Sequence, residues 1–189
     1  MRVLIFAIIF IFSTSPFSLS SVISDIDKSN IELSTRFDGT SILVFGAISP
    51  ENDSISLLIE IIGPSTSVNI RKKVQIWGIW VNKKIAQFKD IPSFYQISIS
   101  NPEHPVLIEI ENQKLKSLFY DFLEINSTPK DGNVVEQYYD ELTRLKKKLG
   151  KLSTFEEQIN IIDQKLFSHK VNLPKKIHPG LYKIKMTLI

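Results

Sequence analysis

The sequence predicts a mainly β fold, an immunoglobulin-like β-sandwich with a helical insertion over about residues 109–163. Three observations predict it. Short runs rich in Ile, Val and Phe alternate apolar and polar residues, the period of two that a half-buried strand requires. Turn clusters of Gly, Pro, Asn and Asp interrupt them at roughly 8–12-residue spacing, as sandwich strands do. Between Glu109 and Asp163 the apolar residues recur every three or four positions instead, which is a helix face.

The N-terminus follows another rule. One charge at Arg2 precedes an unbroken apolar run from Val3 to Phe12, and a polar stretch with Pro16 ends in small residues at Ser18 and Ser20. That is the order of a secretory signal: charged, apolar, then small residues at minus three and minus one. The run is too short for a helix to cross a hydrocarbon core of ~30 Å. We therefore expect residues 1–20 to be a signal peptide cleaved after Ser20, and residues 21–189 to form a single exported domain.

Ser21 to Asn30 is polar and reads as a loose lead-in. In IELSTRF, Ile31, Leu33 and Phe37 share a face; Asp38 to Thr40 makes a turn and SILVFGAI follows, so the two runs form a hairpin. Pro50 to Ser54 is a second turn cluster. ISLLIEII is apolar on both faces, as an interior strand would be, and stops at Gly63-Pro64. From Val68 onward Val68, Ile70, Val74 and Ile76 fall on one side, with Asn69, Arg71 and Lys73 on the other. Lys72 lands on the apolar side, which calls for a bulge or a packed lysine stem, and Gly78 marks a bend. IAQF and FYQISIS then read as short strands split by Asp90 and Pro92.

The insertion opens with NQKLKSLFYDFLEI, whose Leu115, Leu118, Phe119 and Phe122 have helical spacing. Asn133 with Glu136 starts a second helix as a capping box, with a stripe of Val135, Tyr138, Leu142, Leu145 and Leu149. Asp140 and Arg144 form an i,i+4 pair, Lys146 to Lys148 suit the C-terminal dipole, and Gly150 ends the helix. Ser153 with Glu156 repeats the capping box for a shorter helix from about Thr154. Strand character returns in QKLFSHKVNLP, and after the HPG turn Tyr182, Ile184, Met186 and Leu188 alternate with Lys183, Lys185 and Thr187.

The chain of 189 residues carries a net charge of only +3, so any attraction to an anionic partner must be local. It has no cysteine, which removes disulfides, thiolate metal sites and cysteine nucleophiles. The local bias exists: from Ser65 to Lys89 stand Arg71, Lys72, Lys73, Lys83, Lys84 and Lys89, with no acid among them. An envelope protein with an acidic patch, or an anionic lipid surface, would fit this stretch. A solvated edge strand defended by lysines would show the same residues. Nucleic acid is not expected, because export removes the protein from it. Trp77 and Trp80 are an odd number of positions apart, which in a regular strand places one in the core and leaves the other half exposed. Together with Phe94 and Tyr95 they offer an alternative, a stacking platform for a small ligand or carbohydrate. His104, His169 and His178 lack metal spacing and read as surface residues, so neither metal nor cofactor is expected. No carboxylate pair or nucleophile motif gives a catalytic residue to name.

Several segments taken together carry a resemblance. They are FDGTSILVFGAI (Phe37 to Ile48), IIGP (Ile61 to Pro64), VNIRKKVQIWGIWVN with FKDIPSFYQISIS, and LFSHKVNLPKKIHPGLYKIKMTL. The chain resembles a family of alphaproteobacterial transmembrane proteins of unknown function. The resemblance implies an exported, periplasmic β domain, a further strand region and one C-terminal transmembrane helix, and an inner-membrane partner such as a transporter. This chain stops at Ile189 in mid-alternation, so relative to that pattern it is expected to be shortened at its C-terminus. The expected function is a non-catalytic interaction module of the envelope, docking through Arg71, Lys72, Lys73, Lys83 and Lys84.

Overall fold

The computed structural model describes residues 21–49, 56–109, 123–125, 132–155 and 158–189. The leader, the turn expected at Pro50 to Ser54 and most of the first expected helix therefore lie outside the described residues. In chain order the elements are β1 (Ser21–Ile26), β2 (Thr40–Ser49), β3 (Leu57–Ile62), β4 (Ser65–Ile76), β5 (Ile79–Pro92), β6 (Tyr95–Ile99), α1 (Val106–Glu109), β7 (Leu123–Ile125), α2 (Gly132–Lys148), β8 (Leu152–Thr154), β9 (Asn160–Ile162), β10 (Leu166–Leu173) and β11 (Lys183–Leu188).

Two four-stranded sheets, ordered β1-β2-β10-β9 and β11-β3-β6-β8, face each other. Their core joins Val44, Ile48, Phe167, Val171 and Leu173 of the first sheet to Leu57, Ile59, Ile61 and Phe94 of the second side. This is the mainly β sandwich expected from the sequence. The second sheet is also covered on its other face. Leu58, Tyr95, Ile97 and Ile99 pack there against Ala86, Phe88 and Ile91 of β5 and against Tyr139 and Leu142 of α2. A strand between two cores must be apolar on both faces. That is why β3 lacks alternation and is buried along almost its whole length.

Four expectations fail for local reasons. The loose lead-in is strand β1, which pairs antiparallel with β2, Ser21 opposite Ser49 and Ile26 opposite Val44. Residues 31–37 form no strand; they belong to the long connection that carries the chain from β1 to β2. The helix expected from about Thr154 does not begin there. Thr154 is the last residue of strand β8, which pairs in parallel with Tyr95–Ile97 of β6 and buries Leu152 and Thr154, and Asn160–Ile162 is strand β9. A capping-box pattern is a local preference of about 1 kcal/mol, and burial of a neighbouring side chain outweighs it. The final three residues of the first expected helix are β7, paired with β5.

Helix α2 forms close to where it was expected, but it begins at Gly132, so Asn133 lies inside it rather than capping it, and its buried face is rotated. Tyr139, Leu142 and Lys146 are buried, whereas Leu145 and Leu149 are exposed. Arg144 pairs with Glu141 at 2.8 Å, one turn position short of the expected Asp140. The helix ends as the glycine predicted. Gly150 takes φ +64°, its N–H donates to Lys147 O, and Lys151 N–H donates to Lys146 O. These two bonds are a Schellman cap.

Candidate functional site: a basic ribbon with an aromatic tip

β4 and β5 form one hairpin, and its two halves have different environments. At the base, Val68 and Ile70 pack against the second core, beside fully buried Ala86 and Phe88. β7 adds a third strand there, opposite Ala86 to Phe88. Beyond Ile70 the register shifts, from Ile70 opposite Ala86 to Arg71 opposite Lys84, so Ile85 is an extra residue on β5. The bulge expected near Lys72 is therefore carried by the facing strand. A second irregularity between Thr66 and Val68 faces Asp90, whose φ is +54°. IAQF is thus no separate strand but the inner part of one 14-residue strand.

The outer half is a two-stranded ribbon exposed on both sides. Its rungs are Arg71–Lys84, Lys72–Lys83, Lys73–Asn82, Val74–Val81, Gln75–Trp80 and Ile76–Ile79. Trp77 and Gly78 form the turn, both at positive φ (51° and 79°), the arrangement of a two-residue type I′ hairpin. Gln75 Nε2 donates to Gly78 O across it at 3.4 Å. The expected bend at Gly78 is a full reversal. Neither tryptophan reaches a core: Trp77 is 97% exposed and Trp80 65%, with Ile76 at 48% and Ile79 at 67% beside them.

Residues directly opposite on a hairpin share a face. One face of the ribbon therefore holds Arg71, Lys84, Lys73, Asn82, Gln75 and Trp80. The other holds Lys72, Lys83, Val74, Val81, Ile76 and Ile79. Cations sit on both faces toward the body, and apolar groups occupy both faces toward the tip. Lys84 Nζ donates to Gln87 Oε1 at 2.6 Å across the bulge. Among the described residues, Arg71, Lys72, Lys73 and Lys83 make no ion pair.

The five basic residues singled out in the sequence are thus brought together. The four aromatic ones are not. Phe94 (2% exposed) belongs to the core between the two large sheets and Tyr95 (1%) to the core on the opposite side of the second sheet. Both are remote from the ribbon turn, so these rings share no concavity. Sequence reasoning missed Ile76 and Ile79 as surface groups, because alternation assigned Ile76 to the buried side. The available signal was the Trp-Gly pair: a two-residue turn there forces its flanking isoleucines to the end of the ribbon.

Other chemistry-bearing groups lie in the body. His169 is a core residue rather than a surface one, its ring 3.2 Å from Gln96 Nε2 and 3.3 Å from Gln158 O. Tyr95 donates to buried Glu60 at 2.9 Å, and burial, then the Glu60 charge, push its phenol well above the ordinary range. Lys146 donates to the carbonyls of Pro92 and Ser93; burial, then nearby Lys151, lowers its pKa to about 8. Burial, then Lys151 and Lys146, also hold His178 below its usual value. A cavity of about 380 Å³ opens between β2 and β11, lined by Ile26, Ile31, Ile42, His178, Tyr182 and Ile184 among others. Among the described residues no three His, Asp or Glu gather as a metal site.

A family model, Alph_Pro_TM, described as "Putative transmembrane protein", matches residues 21–189, from the first residue of β1 onward. The chain belongs to this family. No curated protein and no solved structure matches it. The Alph_Pro_TM description refers to a transmembrane protein, and among the described residues no helix is long and apolar enough to cross a membrane.

Proposed function

We propose that this Alph_Pro_TM chain is a non-catalytic interaction module of the cell envelope, exported to the periplasm, whose docking element is the outer β4–β5 ribbon. One observation carries the reading: the ribbon retains features that folding does not reward. Two rungs, Arg71–Lys84 and Lys72–Lys83, set like charges directly opposite each other. Such pairs destabilise a hairpin by about 0.2–1 kcal/mol each. A bulky Trp77 occupies the left-handed turn position. That costs roughly 1–2 kcal/mol relative to the Asn or Gly usual there. An anionic surface on the partner would offset the first cost, and contact with the exposed ring the second. The signal-like leader and the family's transmembrane description support an address at the membrane.

The test is the triple reversal Arg71→Glu, Lys72→Glu, Lys73→Glu in cells. The native chain is expected in the envelope fraction, beginning at Ser21, and the reversed chain is expected to leave it. Unchanged recovery of the reversed chain ends the docking claim, and a native chain that keeps Met1 in the cytosol ends the export claim. The cavity beside β11 favours a second reading, the binding of a small apolar ligand. At about 380 Å³ it falls in the range of ligand sites, roughly 300–1,000 Å³. Ile42→Trp would fill it, and that reading requires an apolar dye to bind the native chain and not the variant.

A further inference from the structure

We infer that the ribbon meets its partner end-on and that this partner is an anionic lipid bilayer, with the tip seated in the headgroup layer. This rests on the reading of the ribbon as the docking element and names what it docks to. The arrangement of charge decides between lipid and protein. A ribbon laid against a protein surface would present its cations on one face. Here Arg71, Lys73 and Lys84 occupy one face, and Lys72 and Lys83 the other. The cations form a collar around the ribbon, and beyond the collar all that remains is Val74, Gln75, Ile76, Trp77, Gly78, Ile79, Trp80, Val81 and Asn82. A collar with an apolar tip is suited to a medium that surrounds the ribbon on every side.

The dimensions agree. Strand residues rise about 3.4 Å each, so Lys73 stands roughly 10 Å behind the Ile76–Ile79 rung and Arg71 roughly 17 Å. A headgroup layer is about 5–8 Å thick on each side of the hydrocarbon. With the terminal isoleucines at the hydrocarbon boundary, Lys73 reaches the outer phosphates. The Lys72–Lys83 and Arg71–Lys84 rungs remain within a Debye length of ~8–10 Å from the charged surface. Tryptophan is the residue that prefers this layer, with an apolar ring and one N–H to satisfy. Charge complementarity selects anionic lipid: the segment from Ser65 to Lys89 has six cations and no acid.

The protein supplies its own probe, since both of its two tryptophans are at the tip. The purified full chain is mixed with phosphatidylcholine vesicles, with and without phosphatidylglycerol. Sedimentation and a blue shift of tryptophan emission are expected only with the anionic vesicles, together with quenching by bromine-labelled lipid. Each cation near an anionic surface is worth about fivefold in binding, so Arg71→Gln, Lys72→Gln, Lys73→Gln should weaken it about a hundredfold. Trp77→Ser with Trp80→Ser should leave only weak, salt-sensitive attachment. Far-UV circular dichroism confirms that each variant is folded. If the native chain ignores anionic vesicles, or binds with its emission unmoved, the lipid inference is overturned. Should charge reversal still release the chain from the envelope in that case, the ribbon docks to a protein and the broader reading survives. Should it not, both fall together.

Discussion

The two halves of the β4–β5 hairpin are one continuous pair of strands under opposite demands. From Ser65 to Ile70, with its facing segment Ala86 to Pro92, alternate residues enter a core, and Ala86, Phe88 and Ile91 are fully buried. From Arg71 to Lys84 no residue is buried, and like charges face each other. The division falls at the extra residue Ile85. A bulge bends its strand and increases its twist. It therefore allows the ribbon to leave the body while the base remains in register. The comparison teaches that one half of a secondary structure element is retained for stability while the other is carried at its expense.

Substitutions can break that contrast or sharpen it. The largest expected effect is at the base: Phe88→Ala should cost about 3–5 kcal/mol in chemical denaturation. Next comes the polar contact in the same core. Tyr95→Phe removes the donor to buried Glu60 and should cost about 1–3 kcal/mol. The third concerns pH. The pKa of Lys146 is lowered from 10.5 to about 8 in the fold, so between these values the unfolded chain holds more protons than the folded one. Stability should therefore rise with pH across that window, by at most about 1.4 kcal/mol per pH unit from this group. Lys146→Met should flatten most of the slope in denaturation curves at successive pH values; Lys151, shifted in the same direction, would leave a residue of it.

On the ribbon the sign should reverse. Lys72→Glu replaces a like-charge rung by an opposite-charge one and should stabilise the protein by about 0.2–1 kcal/mol while weakening docking. A loss of stability there would mean that the outer half is not carried at the fold's expense. The smallest effect is at the turn, where Trp77→Ala should stay within about 0.5 kcal/mol of native stability.

Much of the body was legible in the sequence because its strands obey simple periods. β10 and β11 alternate, β2 is a continuous apolar run between turn signals, and β3 is apolar on both faces except at Glu60 because it lies between two cores. β1 was hidden because a six-residue edge strand with only three apolar residues carries little pattern. The face of α2 was misjudged because a buried lysine, satisfied by the carbonyls of Pro92 and Ser93, is invisible to a hydrophobic stripe. In the candidate site the cations were readable as composition. Their placement around a protruding ribbon was not, since alternation continues past the end of the core without announcing that the core has ended.

The ribbon's open flanks set a limit of their own. β7 pairs only with Ala86 to Phe88, and no described strand borders the outer edge of β4. Along the exposed half the outward N–H and C=O groups consequently depend on water. In hydrocarbon each would lose it at a cost of several kcal/mol, which is why open sheet edges do not cross bilayers. A ribbon of this build can dip but not traverse: its own backbone acts as the depth stop.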